Sequence, residues 1–325
     1  MTNLLKKDWP FMWNTEKNKN MQVILGSGGA IGEDLAIELR NYTDEIRLFS
    51  RNPVKINDGD ELFQGNLLNE TDVESAVKGC EVAYLTAGIQ YNAKIWQQQW
   101  PVIMQNVISA CKKHNTKLVF FDNVYMYHPN KLNPMTEETE ILPSSQKGKV
   151  RASIAQMVLD NIQSGELTAL IARAADFYGP GIKNSLFNEA IVNQLKSGKK
   201  ANWLASLNHL HNFTFTPDAA KATALLGNTE SAFNQVWHLP TSKPLTGKQW
   251  IETVAAELGV KPKIQFATKL VVKIMGLFMP VMRESVEMLY QYDRDYVFDS
   301  SKIEKAFNLA PIPIDMAIKK IVAAG

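Results

Sequence analysis

The sequence predicts an α/β fold, in which a doubly wound parallel sheet is joined to a smaller lobe of mixed structure. A short apolar stretch, residues 22–25, leads into three glycines and then into a segment with helical spacing of its apolar residues. Apolar runs at 45–50, 61–64, 81–86 and 117–121 alternate with helical patterns at about 97–114 and 148–162, as strands and crossover helices do. The alternation is lost after residue 180, which predicts the smaller lobe.

The composition is that of an ordinary globular protein. The 325 residues are 45% hydrophobic and 21% charged, and the net charge of +2 gives no reason to expect a nucleic-acid partner. Only two cysteines occur, Cys80 and Cys111, which excludes a disulfide framework and favours a reducing compartment, so we expect a cytoplasmic protein.

One apolar stretch, residues 270–282, bears on membranes. Lys273 and Pro280 interrupt it, so it is too broken for a membrane span. We therefore expect no membrane partner and interpret the stretch as packing within the lobe. Peripheral membrane contact is the alternative.

The glycine turn, residues 26–32, is the most informative motif. Its spacing is Gly-x-x-Gly-x-x-Gly, and it places a helix N-terminus where backbone N–H groups can face a phosphate. Gly26 would permit the sharp turn, Gly29 would let phosphates approach, and Gly32 would let helix and strand pack closely. The turn predicts a bound dinucleotide whose pyrophosphate is held by Gly26, Ser27, Gly29, Ala30, Ile31 and Gly32.

The end of the second strand predicts which dinucleotide binds. The strand ends at Ser50 and Arg51, with no carboxylate. An acidic residue there would bond both ribose hydroxyls and select NAD, whereas an arginine matches a 2′-phosphate. The sequence favours NADP(H). If Arg51 is only an exposed loop residue, NAD is the alternative.

Further motifs follow the glycine turn. They are Gly65-Asn66-Leu67, Gly79-Cys80-Glu81, Thr86-Ala87-Gly88, residues 173–180, residues 211–220, residues 237–240 and residues 298–302. Together they resemble the extended short-chain dehydrogenase/reductases, and more narrowly the NAD-dependent epimerase/dehydratase family. The resemblance runs from about Met21 to the C-terminus and implies a Rossmann sheet.

The resemblance also implies a division of the chain. Residues 1–20 would be an N-terminal extension, either a disordered tail or an aromatic anchor, and residues 21–180 the dinucleotide-binding domain. Residues 181–325 would be mainly the substrate lobe, returning to the Rossmann domain near 211–240 and 295–310. A homodimer through helices 97–114 and 148–163 is also implied.

Carried over by position, the resemblance assigns further cofactor contacts. Asn66 and Leu67 would lie near the adenine, although the family more often has Asp where Asn66 stands. Thr86, Ala87 and Gly88 would line the nicotinamide side of the crevice.

The catalytic positions depart from the family pattern of Ser/Thr, Tyr and a Lys four residues after the Tyr. Asn123 falls at the Ser/Thr position and could still donate a hydrogen bond to a substrate oxygen. Lys147 falls where the family has tyrosine, and Arg151 where it has lysine. The sequence Tyr127-x-x-x-Lys131 has the right spacing, but Pro129 prevents a shared helical face.

These substitutions leave the proton donor open. Lys147 could donate a proton, act as a base if Arg151 and the cofactor depressed its pKa, or be a solvated lysine at the start of a helix. Arg151 could bind ribose hydroxyls or a phosphate but cannot be a base. Tyr125 is a candidate substitute acid, with a packed aromatic as the alternative.

Candidates to line the lobe are Lys183, Asn184, Phe187, Trp203, His209 and Met279. His209 and His211 have no third ligand at suitable spacing, so no metal is expected, and His238 is expected to be a core residue.

From the glycine turn, Arg51 and the altered catalytic positions together, we predict an NADP(H)-dependent oxidoreductase or epimerase acting on a small carbonyl or hydroxyl substrate with a non-standard proton donor. The alternative is a non-catalytic NADP(H)-binding sensor or regulatory protein.

Overall fold

A computed structural model of the protein describes residues 20–182 and 185–324. The first half alternates strands and helices: β1 (Gln22–Leu25), α1 (Gly32–Leu39), β2 (Ile46–Ser50), β3 (Glu61–Gln64), α2 (Glu70–Val77), β4 (Val82–Leu85), α3 (Ala93–His114), β5 (Lys117–Asp122), α4 (Gln146–Gln163) and β6 (Ala169–Arg173).

The second half is less regular. It contains β7 (Asp176–Tyr178), a π-helical turn (Asn188–Val192), α5 (Asn193–Lys196), β8 (Ala201–Leu204), β9 (Leu210–His211), β10 (Phe213–Phe215), α6 (Thr216–Gly227), a 3-10 turn (Glu230–Ala232), β11 (Val236–His238), β12 (Leu245–Thr246), α7 (Gly247–Glu257), β13 (Ile264–Ala267), α8 (Lys269–Phe278), α9 (Pro280–Val286), a 3-10 turn (Leu289–Gln291), α10 (Ser301–Phe307) and α11 (Ile314–Ala323).

Seven strands form one parallel sheet in the order β11-β6-β5-β4-β1-β2-β3. The chain winds outward from β1 to β2 and β3, then crosses back to β4 and continues through β5 and β6. The prediction of a doubly wound α/β sheet is confirmed. The switch of direction lies between β1 and β4, and in such sheets ligands bind outside the carboxyl ends of the strands at that point.

Helices cover both faces of the sheet. Residues of α2, α3 and α4 form one buried cluster with the sheet. Residues of α1, α6 and α10 form the other. Strand β1 is buried at all four positions, as expected for a strand covered on both faces. Because β11 pairs with β6, the chain returns to the sheet after its first passage through the lobe.

The lobe has its own aromatic core. Phe187 and Trp203, predicted to line a substrate cavity, are instead 1% and 5% exposed and pack against Phe213 and Trp250. The Trp203 indole N–H donates to the Ser206 carbonyl at 2.8 Å, which satisfies its polar group within the core. Two other lining candidates, Lys183 and Asn184, lie outside the described residues, as does the extension 1–19.

The apolar stretch 270–282 was interpreted from the sequence as packing within the lobe. The structure contradicts this interpretation. Within α8, Val272 and Gly276 are buried, but Leu277 is 70% and Phe278 81% exposed. In the described part of the chain, no helix combines the length and apolar character needed to span a bilayer.

Two helices begin earlier than predicted, because their caps were not recognised. Helix α3 begins at Ala93, after Asn92, whose side chain accepts from the Ile95 N–H. Helix α4 begins at Gln146, after the cap Ser145. The earlier start of α3 places Ile95 on the helix, where it lines the crevice described below.

Candidate cofactor crevice and catalytic site

The glycine turn joins β1 to α1 at the switch of direction in the sheet. Gly26 has φ of +97°, and a Cβ there would lie 2.5 Å from Cα of Ala87. A side chain at this position would therefore be strained by its backbone conformation and would also clash with the end of β4. The sharp turn predicted at Gly26 is present.

The second glycine has a different role from the one predicted. A Cβ at Gly29 would lie 2.6 Å from the carbonyl oxygen of Thr86, so the missing side chain makes room for the protein itself. It is Gly28 that faces open space, with no atom within 4 Å of an added Cβ. Close approach of a ligand to the backbone is therefore best placed at Gly28.

The turn also carries unpaired hydrogen-bond donors. The N–H groups of Gly28, Ala30 and Ile31 have no acceptor within the described ranges. Three free N–H groups at the start of a helix form a cradle for an anion, because the helix dipole adds to their partial charges. A pyrophosphate fits this arrangement.

A crevice of about 540 Å³ opens beside the turn. It brings together eight of the residues predicted to bind the cofactor, namely Gly26, Gly29, Ser50, Arg51, Asn66, Leu67, Ala87 and Gly88. Ser27, Ile31, Gly32 and Thr86 are buried, and Ala30 is exposed. Of these, Ala30 and Ile31 can contribute backbone N–H groups.

The end of β2 supplies polar groups for a ribose. The Ser50 hydroxyl is buried and has no hydrogen-bond partner among the described residues. Arg51 is exposed, its carbonyl accepts from the Gln64 amide at 3.0 Å, and its guanidinium has no ion-pair partner in residues 20–182 or 185–324. Both residues line the crevice, where a ribose and its phosphate could bind them.

The loop at residues 65–68 is fixed by hydrogen bonds. The Asn66 N–H donates to Asp72 at 2.9 Å, and the Asn66 side-chain oxygen accepts from the Leu68 N–H. The Asn106 amide holds the Leu67 carbonyl at 2.9 Å. A carbonyl oxygen can accept twice, so Asn66 retains capacity for a ligand.

One wall of the crevice was missed from the sequence. Ile95, Gln99 and Ile103 lie on one face of α3, at i, i+4 and i+8, and line the crevice with Ile89 and Gln90. The spacing was visible, but a helix predicted from residue 97 leaves out Ile95.

Asn123 directly follows β5 and, like Tyr125, Lys147 and Arg151, is not among the residues that line the crevice. Its side-chain oxygen accepts from the Tyr125 N–H at 3.1 Å, which closes a tight turn. The amide nitrogen of this side chain has no partner in the described part of the chain. That nitrogen is the group Asn123 could offer to a substrate oxygen.

Lys147 is not a solvated lysine at the start of a helix, because its side chain is completely buried. Its amine donates to Glu284 at 2.6 Å and to Glu287 at 2.8 Å. The same two carboxylates cap helices: Glu287 accepts from the Gln146 N–H, and Glu284 from the Ala93 N–H. Lys147 is therefore neutralised by residues of the lobe.

Arg151 is also paired. Its Nε and Nη2 donate to Oδ1 of Asp122 at 2.7 and 2.5 Å, and the guanidinium lies against the rings of Trp100 and Phe120. The side chain is 4% exposed. This arrangement argues against Arg151 as a direct ligand of a ribose.

Two phenols, Tyr91 and Tyr125, lie close to each other and to Lys147. Tyr125 stacks on Trp96 with ring centroids 6.2 Å apart, and its hydroxyl lies close to that of Tyr91. The ring of Tyr91 lies over the Lys147 amine. Desolvation of the hydroxyl groups, with the nearby Asp176 carboxylate, raises the pKa of both phenols above the ordinary value, although the Tyr91 side chain as a whole is 41% exposed. Tyr91 was not identified from the sequence, since it follows no catalytic motif.

Asp176 contacts two side chains from later in the chain, those of Tyr292 and His211. Its Oδ2 accepts from the Tyr292 hydroxyl at 3.1 Å and lies 3.1 Å from Nε2 of His211. The His211 ring is stacked between Tyr292 and Tyr296. His209 is separate and lies beside Asp295. Within the described residues, no cluster of three or more His, Cys, Asp or Glu is arranged to hold a metal.

The fold and this crevice define an extended Rossmann-type protein with a cradle for a dinucleotide. The chain belongs to the NAD dependent epimerase/dehydratase family, whose model matches residues 22–237.

Solved structures of similar fold include a UDP-N-acetylglucosamine 4-epimerase from Methanobrevibacter ruminantium in complex with UDP-N-acetylmuramic acid. It is 17% identical, with a TM-score of 0.77 over 95% of this chain and 98% of that one. A Thermus thermophilus UDP-glucose 4-epimerase in complex with NAD is 16% identical, with a TM-score of 0.74 over 94% and 98%. An uncharacterised protein of Sinorhizobium fredii is 21% identical over 89% of this chain and 74% of the relative.

Proposed function

We propose that the protein is an NADP(H)-dependent oxidoreductase or epimerase acting on a small carbonyl or hydroxyl substrate. The observation that carries the proposal is the cradle of free N–H groups at Gly28, Ala30 and Ile31, beside a crevice large enough for a nucleotide. Family membership supports a nicotinamide cofactor, which when bound supplies hydride chemistry. The unpaired Arg51 supports the phosphorylated form.

The chain's own residues would bind and protonate the substrate. The free amide nitrogen of Asn123 can hold a substrate oxygen, and a phenol at Tyr91 or Tyr125 can donate the proton. Because desolvation of their hydroxyl groups raises the pKa of both phenols, they remain protonated at neutral pH. A protonated phenol can be an acid but not a base, so this site favours reduction of a carbonyl.

One observation favours a second candidate, a non-catalytic NADP(H)-binding sensor. Both cations at the family's catalytic positions are neutralised: Lys147 by two glutamates and Arg151 by Asp122. Neither Lys147 nor Arg151 is therefore an unpaired cation that could lower the pKa of a phenol, which is the part the lysine has in the family pattern.

Turnover separates the two candidates. The purified protein is assayed for NADPH oxidation with a panel of aldehydes and ketones. We expect slow reduction that falls at least about tenfold in Tyr91→Phe or Tyr125→Phe, the scale of a lost proton donor. Tyr42→Phe is the control, because Tyr42 packs against the buried cluster on the other face of the sheet from Tyr125. Tight NADPH binding with no turnover across the panel would instead establish the sensor.

Three earlier expectations remain predictions: a homodimer through α3 and α4, a cytoplasmic location, and the proposed domain division.

A further inference from the structure

Helix α8 and its flanks expose an unusual concentration of apolar side chains. Of the 18 large hydrophobic residues that are exposed in the described part of the chain, seven fall between residues 266 and 279. They are Phe266, Leu270, Val271, Ile274, Leu277, Phe278 and Met279, here called the α8 face. The other eleven are spread over the rest of the chain. Contiguous apolar surface of this kind marks an interaction site.

The geometry of α8 places these side chains on one side. Leu270, Ile274 and Leu277 recur at i, i+4 and i+7, with Val271 and Phe278 one position further on, so they form a single stripe. Val272 is buried on the opposite side.

Opposite the stripe, α8 packs against α9. A Cβ at Gly276 would lie 3.2 Å from Cα of Arg283, and Nε of Arg283 donates to the Gly276 carbonyl at 3.1 Å. The helix is therefore held to the protein by one side and presents its apolar stripe outward.

The charged residues within the segment that carries the α8 face are all positive. Residues 260–283 contain no Asp or Glu and five cations, namely Lys261, Lys263, Lys269, Lys273 and Arg283. Lys269 is paired with Asp293 from outside this segment. Because Ala201 pairs with Ile264, the exposed Lys199 and Lys200 lie beside Lys263. An apolar helix with a basic surround is thus formed at one edge of the lobe.

We propose that the α8 face docks on a membrane surface that carries anionic lipids. The helix would lie in the interface with its stripe among the acyl chains and the lysines among the headgroups, as amphipathic interfacial helices do. A symmetric contact with a second copy fits less well, because it would bring the same basic residues together. The proposal revises the expectation of no membrane partner and does not involve a span.

Sedimentation with vesicles tests this on the full-length protein. Phosphatidylcholine vesicles are compared with vesicles of phosphatidylcholine and phosphatidylglycerol in equal parts. We expect the anionic vesicles to bind at least about tenfold more protein, and added salt to release it, since headgroup attraction is screened. Equal binding to both vesicles, or binding to neither, would overturn the proposal.

Variants locate the contact. Leu277→Gln with Phe278→Gln should reduce sedimentation with anionic vesicles about tenfold or more. The matched control is Val54→Gln with Leu142→Gln, which alters two equally apolar residues, 73% and 54% exposed, away from α8. Lys199→Gln with Lys200→Gln removes two of the basic residues beside the α8 face and should also reduce sedimentation with anionic vesicles. Lys319→Gln is its control.

The oligomeric state of the same samples, measured by light scattering, distinguishes the rival occupant. If the wild-type protein is a dimer that Leu277→Gln with Phe278→Gln dissociates, and vesicles bind neither protein, the α8 face is an interface between copies and the membrane proposal is wrong. Equal circular dichroism spectra of the variants exclude unfolding as the cause.

Discussion

The amine of Lys147 lies 2.6 Å from Oε2 of Glu284, so the residue at the family's tyrosine position is tied to the lobe. Glu287 is the second partner, at 2.8 Å. Since these carboxylates also cap α3 and α4, the contact joins both crossover helices to residues 284–287, at the end of α9. A position used for proton transfer in the family pattern has become an ion-pair junction between the two parts of the chain.

Removing the lysine should therefore destabilise the protein. Lys147→Met leaves two largely buried carboxylates without a cation, and we expect a loss of about 3 kcal/mol in the free energy of unfolding. Urea unfolding followed by fluorescence measures it. Adding Glu284→Gln and Glu287→Gln should restore most of the loss, because no charge is then left unpaired. The exposed Lys149→Met is the control, and a loss below about 1 kcal/mol in Lys147→Met would contradict the ion-pair account.

The glycine turn yields a matched pair of substitutions. Gly28→Ala adds a methyl group in open space, so folding should be unaffected while the methyl obstructs the cradle. We expect unchanged thermal stability without ligand and NADPH affinity at least about tenfold weaker, the scale of a lost phosphate contact. Gly26→Ala should lower both the thermal stability and the NADPH affinity, since the added Cβ would meet Ala87 and the φ of residue 26 is positive. Normal NADPH binding by Gly28→Ala would show that the cradle is not the phosphate site.

Selectivity for the phosphorylated cofactor depends on Arg51 in our proposal. Arg51→Ala should weaken NADPH binding about tenfold and leave NADH binding almost unchanged, because only NADPH carries the 2′-phosphate. Thermal-shift titrations with each cofactor measure this, since ligand linkage follows affinity. Lys55→Ala, which removes an exposed charge nearby in sequence, is the control. Equal or greater stabilisation of the wild-type protein by NADH would refute the NADP(H) assignment.

The sheet and the glycine turn could be predicted because their signals are local. The apolar runs match β1 to β5 within a residue or so, and the conformation at Gly26 follows from glycine itself. The roles of Gly28 and Gly29 could not be assigned, since only the position of Thr86 distinguishes them.

The surroundings of the catalytic positions could not be predicted, because they depend on residues distant in sequence. Glu284 and Glu287 lie about 140 positions after Lys147, and Asp122 is 29 before Arg151. No local pattern links them. Phe187 and Trp203 were placed wrongly for a different reason. Large aromatic residues in a lobe are typical both of a pocket and of a core, and only the packing in the folded protein distinguishes the two.

His238 offers a test of the buried polar network. Arg173 donates to the Tyr127 hydroxyl at 3.0 Å, that hydroxyl lies 2.7 Å from Nε2 of His238, and Nδ1 lies 2.8 Å from the Asp299 carbonyl. A carbonyl only accepts, so Nδ1 carries the proton and Nε2 accepts from Tyr127. Burial is the main cause that lowers the pKa of His238 to about 3, and the imidazole is neutral in the folded protein.

The pH dependence of stability follows from this shift. The unfolded histidine titrates near its ordinary pKa of 6.5, so below that pH the unfolded state binds more protons than the folded state. The contribution to stability is complete above pH 6.5 and is lost as the pH falls towards 3. Between pH 7 and pH 5, the free energy of unfolding of the wild-type protein should therefore fall by about 2 kcal/mol more than that of His238→Gln, as measured by urea unfolding. Equal slopes in wild type and His238→Gln would show that His238 is not buried in its neutral form.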